Sequence, residues 1–326
     1  MIDRRSLVMG GVAATLVPSS VRAQRSGKVW RVAFFSIATG PNHLADAFRR
    51  GLNELGYIEG SNLSIQYQWT GPGHESQFDE VARQLAESQP DIIVTAGQLP
   101  TVAAKNATAQ IPIVSIGVVN PVGSGLAASI SHPAGNLTGF SLDLTPETNG
   151  KMLQLLHEAA PNVIRFGAIW NSAMPGGRIY LDAVERAARS ANTTLSAYDV
   201  RRAEDIDGVF HSLRGSVEGL IVFPQGLWTY RRHMVDAARE AQLPTIFGFR
   251  DTVEMGALMS YGPELDDEVF KSAATYIDKI IKGAKPADLP IQQPAKFELV
   301  INVKTASALN ISIPPALLSR ADEVVE

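Results

Sequence analysis

The chain has 326 residues, 29 of them basic and 33 acidic, for a formal charge of −4, with 45% hydrophobic and 19% charged residues. That balance belongs to a globular protein with large buried cores, and it leaves no basic face for nucleic acid or anionic lipid. Cysteine is absent, which excludes thiol catalysis, disulfide stapling and thiolate metal sites.

Arg4 and Arg5 precede an apolar run over 7–17, with Val21-Arg22-Ala23 behind it. A positive start, a short apolar middle and small residues at a cut site make a secretory signal. Those apolar residues rise roughly 16 Å as a helix, short of a hydrocarbon core of about 30 Å. The paired arginines point to the twin-arginine route of bacteria. Residues 1–23 are therefore expected to be a twin-arginine-type signal cleaved near Ala23. The mature chain is then expected in the periplasm without membrane insertion, since no later apolar run approaches a membrane span.

From residue 32 apolar strands alternate with amphipathic helices. Residues 32–37 are near-continuously apolar, which suits a strand covered on both faces. Leu44, Phe48, Leu52 and Leu55 form one helical stripe ended by Gly56. Residues 63–69 alternate as a strand, and Phe78, Val81 and Leu85 mark a helix stopped by Pro90. Two further buried strands, 92–95 and 113–116, flank an Ala-rich helix over 101–109. After a Gly/Ser/Pro-rich stretch at 120–139 the pattern restarts: strand 166–170, helix 177–191, strand 195–199, helix 205–213, strand 220–223, helix 230–241 and strand 245–247. A strand at 257–260, a long helix over 264–282, a strand near 297–301 and a short helix over 304–309 close the chain. This order predicts an α/β protein of two Rossmann-like lobes, each a parallel, right-handed, doubly wound sheet.

Ligands of such sheets sit beyond the C-terminal strand ends, where helix N-termini offer free N–H groups. In the first lobe those positions hold Ser36, Thr39, Thr95, Gly97, Gln98 and Asn120; in the second, Asn171, Gln225, Phe249 and Asp251. Hydroxyls, amides and glycines there suit a small polar or carboxylate-bearing ligand, although strand-end loops are polar in any α/β protein. Catalytic chemistry is hard to find. The six histidines form no i, i+4 pair, so no metal site is expected. No G-x-S-x-G elbow or P-loop occurs. Residues 123–128 resemble a dinucleotide fingerprint with Asp143 downstream, but His132-Pro133 cut the helix short and no strand precedes the acid. No cofactor and no catalytic residue are expected. Four glycosylation sequons, at Asn106, Asn136, Asn192 and Asn310, are coincidental beside a bacterial export signal.

Several ordered motifs resemble one known group. They are Asn120-Pro121-Val122-Gly123-Ser124-Gly125-Leu126, Pro133-Ala134-Gly135-Asn136-Leu137-Thr138-Gly139, Met259-Ser260-Tyr261-Gly262-Pro263, Gly283-Ala284-Lys285-Pro286 and Ile313-Pro314-Pro315. The chain is similar from about 28 to 326 to ABC-transporter substrate-binding proteins, in the family that includes tryptophan- and tyrosine-binding members. The resemblance implies a periplasmic-binding-protein type I fold, its lobes joined by three crossovers near 139–143, 256–261 and 290–297. Lobe one would span 28–140 plus about 259–289, and lobe two about 141–258 plus 290–326.

By the same resemblance Thr95, Gly97 and Gln98 stand in the loop that holds a ligand carboxylate. Asp143 or Asp251 would take an ammonium, and Asp143 serves equally as a cap for a helix beginning near Thr145. The family commonly has Asp where this chain has Asn120, which weakens a cationic-ligand reading. Tyr261, Phe249 and Trp228 either stack on an aromatic ring or belong to the core. The implied function is the periplasmic solute-binding component of an ABC importer, not an enzyme. It would be a monomer that closes on an amino acid or an aromatic or organic acid and partners an inner-membrane permease. Two alternatives remain, an exported α/β enzyme and a ligand sensor for a membrane signalling protein.

Overall fold

The computed structural model describes residues 28–71, 74–142, 144–174, 177–263, 267–294 and 296–326. The expected signal segment and Asp143 lie outside the described residues. Strands β1 (Trp30–Ser36), β2 (Leu63–Trp69), β3 (Ile92–Ala96), β4 (Ile113–Val118) and β5 (Leu137–Ser141) form the first sheet, in the order β2-β1-β3-β4-β5, every pair parallel. All positions of β3 and β4 are buried, because helices cover both faces of the sheet. Helix α1 (His43–Glu54) brings Phe48 and Leu52 against Phe34 on one face. On the other, α2 (Phe78–Glu87) and α3 (Gln98–Ala107) pack Phe78, Leu85 and Ala104 against Phe35 and Ile93.

Strand β5 falls inside the stretch whose composition reads as a linker. Gly139 explains the camouflage. It sits at φ +131°, and a Cβ there would lie 2.0 Å from the Ser115 carbonyl oxygen of β4, so the pairing of these two strands requires glycine.

The second lobe begins with α4 (Pro146–Ala159), of which the sequence pattern marks only the start. Thr145 is its N-cap and accepts from the Thr148 N–H. Next come β6 (Arg165–Trp170), α5 (Gly177–Ser190), β7 (Thr194–Asp199), α6 (Asp205–Leu213), β8 (Gly219–Val222), α7 (Arg231–Glu240), β9 (Thr245–Phe247) and α8 (Asp251–Glu254). After β10 (Met259–Pro263) and the long α9 (Asp267–Ile281), the chain ends with β11 (Phe297–Asn302), α10 (Val303–Ala308), α11 (Pro315–Leu318) and β12 (Glu323–Val325). The second sheet runs β12-β11-β10-β9-β8-β6-β7 and is parallel except for the β10–β11 pair. Leu153, Leu156, Leu181 and Val184 of α4 and α5 cover one face beside Phe166, while Ile206, Phe210, Met234 and Val235 of α6 and α7 cover the other beside Leu220.

Only the second crossing falls away from where the resemblance puts it. β10 pairs with β9 and β11, so Met259–Pro263 is part of the second lobe and the chain crosses only after Pro263. Helix α9 then packs Phe270, Tyr276 and Ile277 into the first lobe. The return segment stays with that lobe as far as Gln292. The Thr138 hydroxyl donates to the Leu289 carbonyl at 2.7 Å, the Gln292 N–H donates to Gly139, and Ser141 N–H donates to Gln292. Pairing along the free edge of β5 therefore carries lobe one on to 292 and leaves the third crossing within the expected 290–297. The first crossing follows Leu142, whose N–H donates to Val118 in lobe one, whereas Leu144 is buried in lobe two.

Candidate functional site

Residues just past β1, β3 and β4 of one lobe and past β6, β8 and β9 of the other enclose a cavity of about 250 Å³. Most of its wall is apolar. The first lobe supplies Ile37, Trp69, Phe78, Leu99 and Phe270, and the second Met174, Trp228, Tyr230 and Phe249.

Both tryptophans are held from behind. Trp69 stacks on Tyr67, with ring centres 5.8 Å apart and planes 6° apart, and tilts against Phe34 at 5.5 Å. Burial, helped by the nearby Glu59 charge, pushes the Tyr67 hydroxyl up to about 12, so this support stays neutral at any physiological pH. Trp228 lies under the Arg231 guanidinium, 3.7 Å from its ring centre. Arg231 also donates to the Trp228 carbonyl and to the Asp251 carboxylate.

Polar groups on the wall are few and arranged in one sense. Gly97, at φ +109°, turns the chain from β3 into α3. It has no side chain to cap the helix, which leaves the first helical N–H groups, on Gln98 and Leu99, without a capping acceptor at the cavity edge. Ser36 Oγ accepts from the Ala38 N–H, Asn42 Oδ1 from Ala45, Gln98 Oε1 from Val119 and Asn171 Oδ1 from Ala173. Arg201 Nε donates to Asp199 Oδ2 at 2.7 Å and to Ser172 Oγ at 2.9 Å. Partial burial opposes the charge of Asp199. Its bonds from the Ser172 N–H and hydroxyl and from Arg201 outweigh that and hold the carboxyl below the usual aspartate range. Among the described residues no aspartate or glutamate lines the cavity.

Of the positions that the strand-end pattern points to, Ser36, Gly97, Gln98, Asn171 and Phe249 line the cavity. Thr95 does not. It is 0% exposed, and its hydroxyl meets Thr101 Oγ1 at 2.8 Å while Thr101 donates to the Gly97 carbonyl. Thr39 is exposed beside Gly71. Asn120, at φ +42°, closes a surface turn by accepting from the Gly123 N–H. Gln225 is buried behind the wall, with its oxygen 3.4 Å from Asn149 Nδ2, and Asp251 is turned to Arg231. Tyr261 packs on Phe297 at 5.8 Å within the second sheet. Trp69 ends the edge strand β2 and Arg201 follows the edge strand β7, where extending the strand-end rule to the sheet edges would have found them. Asn42 and Phe270 come from helix starts, for which the pattern carries no signal.

Two doubly wound lobes with one cavity between their strand ends define a ligand receptor of the type I periplasmic-binding class. More specifically, the chain belongs to the family of ABC transporter substrate binding proteins, whose model matches residues 32–325. Proteins of that family bind small solutes and work with ABC permeases, typically outside the cytoplasmic membrane. A tyrosine-binding protein of Clostridioides difficile (strain R20291) is 26% identical over 265 residues, which cover 81% of this chain and 75% of that protein. A conserved domain protein from Vibrio cholerae, 28% identical, superimposes with a TM-score of 0.81 over 91% of this chain and all of its own. A Streptococcus pneumoniae ABC domain in complex with L-Trp, 23% identical, gives 0.79 over 90% and 100%. The ligand-free, open structure of a Clostridium difficile substrate binding protein, 22% identical, gives 0.64 over 91% and 99%. Among the described residues no helix is long and apolar enough to cross a membrane, and no cluster of three or more His, Asp or Glu could hold a metal.

Proposed function

We propose that this protein is the periplasmic receptor of an ABC importer, and that it traps a small carboxylate-bearing molecule with an aromatic or otherwise apolar body between its lobes. The observation that carries this reading is the cavity itself, walled by aromatic side chains from both lobes and edged by the uncapped N-terminus of α3. The carboxylate rests on the Gln98 and Leu99 N–H groups, where the helix dipole favours negative charge. The apolar body lies between Trp69 of lobe one and Trp228 and Phe249 of lobe two.

Contacts to the second lobe exist only when the lobes are together. Ligand therefore shifts an open–closed equilibrium by the amount of that differential binding, and the permease recognises the closed form. Residues 1–23 direct export and are cut near Ala23, and the mature receptor acts as a monomer. The test is calorimetric titration of mature protein with aromatic and aliphatic carboxylates, paired with small-angle scattering. Binding is expected to be stoichiometric and to shrink the radius of gyration. Turnover of the bound compound, or binding without contraction, would overturn the receptor reading.

A further inference from the structure

We infer that the cavity selects an aromatic carboxylate that carries no ammonium group, and that Arg201 is the lobe-two residue that reads its charge. The inference rests on the receptor reading above and narrows it to a ligand class. Its ground is the sense of the polar wall. Ser36, Asn42, Gln98 and Asn171 each engage their side-chain oxygen with a backbone N–H. The backbone donors also fix which end of each amide is oxygen, so the hydrogens of the O–H and NH₂ groups are left to a ligand while each oxygen has one lone pair already used. The Gln98 and Leu99 backbone N–H groups add two further donors.

Arg201 is the one charged side chain on the wall among the described residues. Its Nε is fixed by Asp199 and Ser172, which orients the guanidinium plane while its two terminal nitrogens keep their donors. An anion finds donors from both lobes in such a cavity. An ammonium leaving water for the same space finds no carboxylate among the described lining residues. Among the described acids of lobe two, Asp199 is held by Ser172 and Arg201, and Asp251 is held through Oδ2 by Arg231.

Three indole compounds, one with a carboxylate alone, one with both charged groups and one with an ammonium alone, test this: indole-3-acetate, L-tryptophan and tryptamine, titrated calorimetrically into the mature chain. Indole-3-acetate is expected to bind at least about tenfold more tightly than L-tryptophan, the scale of one charge-assisted contact, with no binding of tryptamine. Arg201→Gln is expected to weaken indole-3-acetate by about tenfold or more, and Arg201→Lys to recover part of that loss. Because Arg201 is exposed, thermal melts of both variants are expected to match the parent. Asp143→Asn, at the acid outside the described residues, is expected to leave indole-3-acetate binding unchanged.

Tighter binding of L-tryptophan, with loss on Asp143→Asn and none on Arg201→Gln, would overturn the inference and leave the receptor standing. Failure of all three compounds to bind would remove the aromatic-carboxylate reading and the inference with it.

Discussion

Replacing Gly97 by alanine tests the link between backbone geometry and ligand binding. Gly97 sits at φ +109° and ψ 164°, a region that is essentially closed to residues with a Cβ and costs about 1–3 kcal/mol to enter. The added Cβ would also lie 3.0–3.2 Å from three atoms of Ile37. That contact is tight but is made with a half-buried side chain that can shift by a few tenths of an ångström. Losing glycine freedom in the unfolded chain returns about 0.4–1 kcal/mol. The net expectation is a loss of about 1–2 kcal/mol in denaturant-unfolding free energy. Turning the Gln98 and Leu99 N–H groups away from the cavity is expected to lower carboxylate affinity as well. A second substitution separates the two causes: Ile37→Ala in the Gly97→Ala background removes the contact and leaves the dihedral strain, so little stability should return. A loss below about 0.5 kcal/mol with unchanged affinity, or full rescue by Ile37→Ala, would refute the argument.

Thr95→Val removes a buried hydroxyl that is bonded only to Thr101; it should cost about 1 kcal/mol of stability by denaturation and leave ligand affinity intact. Arg231→Met, combined with Asp251→Asn so that no acid is left unpaired, deprives Trp228 of a cation–π contact worth about 0.5–2 kcal/mol. Titration of that double variant should show aromatic ligands bound several-fold more weakly. Asp199 titrates below its ordinary value near 3.9, so the stability it lends is complete above that pH and is lost as pH falls through the lower folded value. Unfolding free energies should therefore contain no step from Asp199 between pH 8 and 5 and a decline below about pH 4. Asp199→Asn should flatten that decline.

Most of the fold is written in local pattern, because strands covered on both faces need long apolar runs and the helices between them need one apolar stripe. β3 and β4 are the clearest cases. Where the pattern fails, something non-local decides. β5 hides behind Gly139, whose reason for being glycine is the approach of another strand. The assignment of Met259–Pro263 to the second lobe depends on its pairing with β11, some forty residues later. The strand-end rule locates loops but cannot say which way a side chain turns. Thr95 follows the strand inward to Thr101, whereas its neighbours Gly97 and Gln98 reach the cavity. Nor can it foresee that Phe270 enters from a helix that returns from the far side of the chain.

The threading of that helix has a consequence for how the molecule is made. Arg50 of α1 meets Asp267 of α9 across 217 positions, and Tyr57 meets Asp278 across 221. β11 and β12 complete the other sheet from residues 297–325. Neither lobe is whole until α9 and β12 have been made. Until α9 arrives, the groove left open by Phe34, Phe48 and Leu52 stays wet, and until β12 arrives β11 offers an unpaired edge. Synthesis and cooperative folding are therefore separated in time, and the unfinished chain passes through a long stage in which apolar surface invites a chaperone or a neighbouring copy.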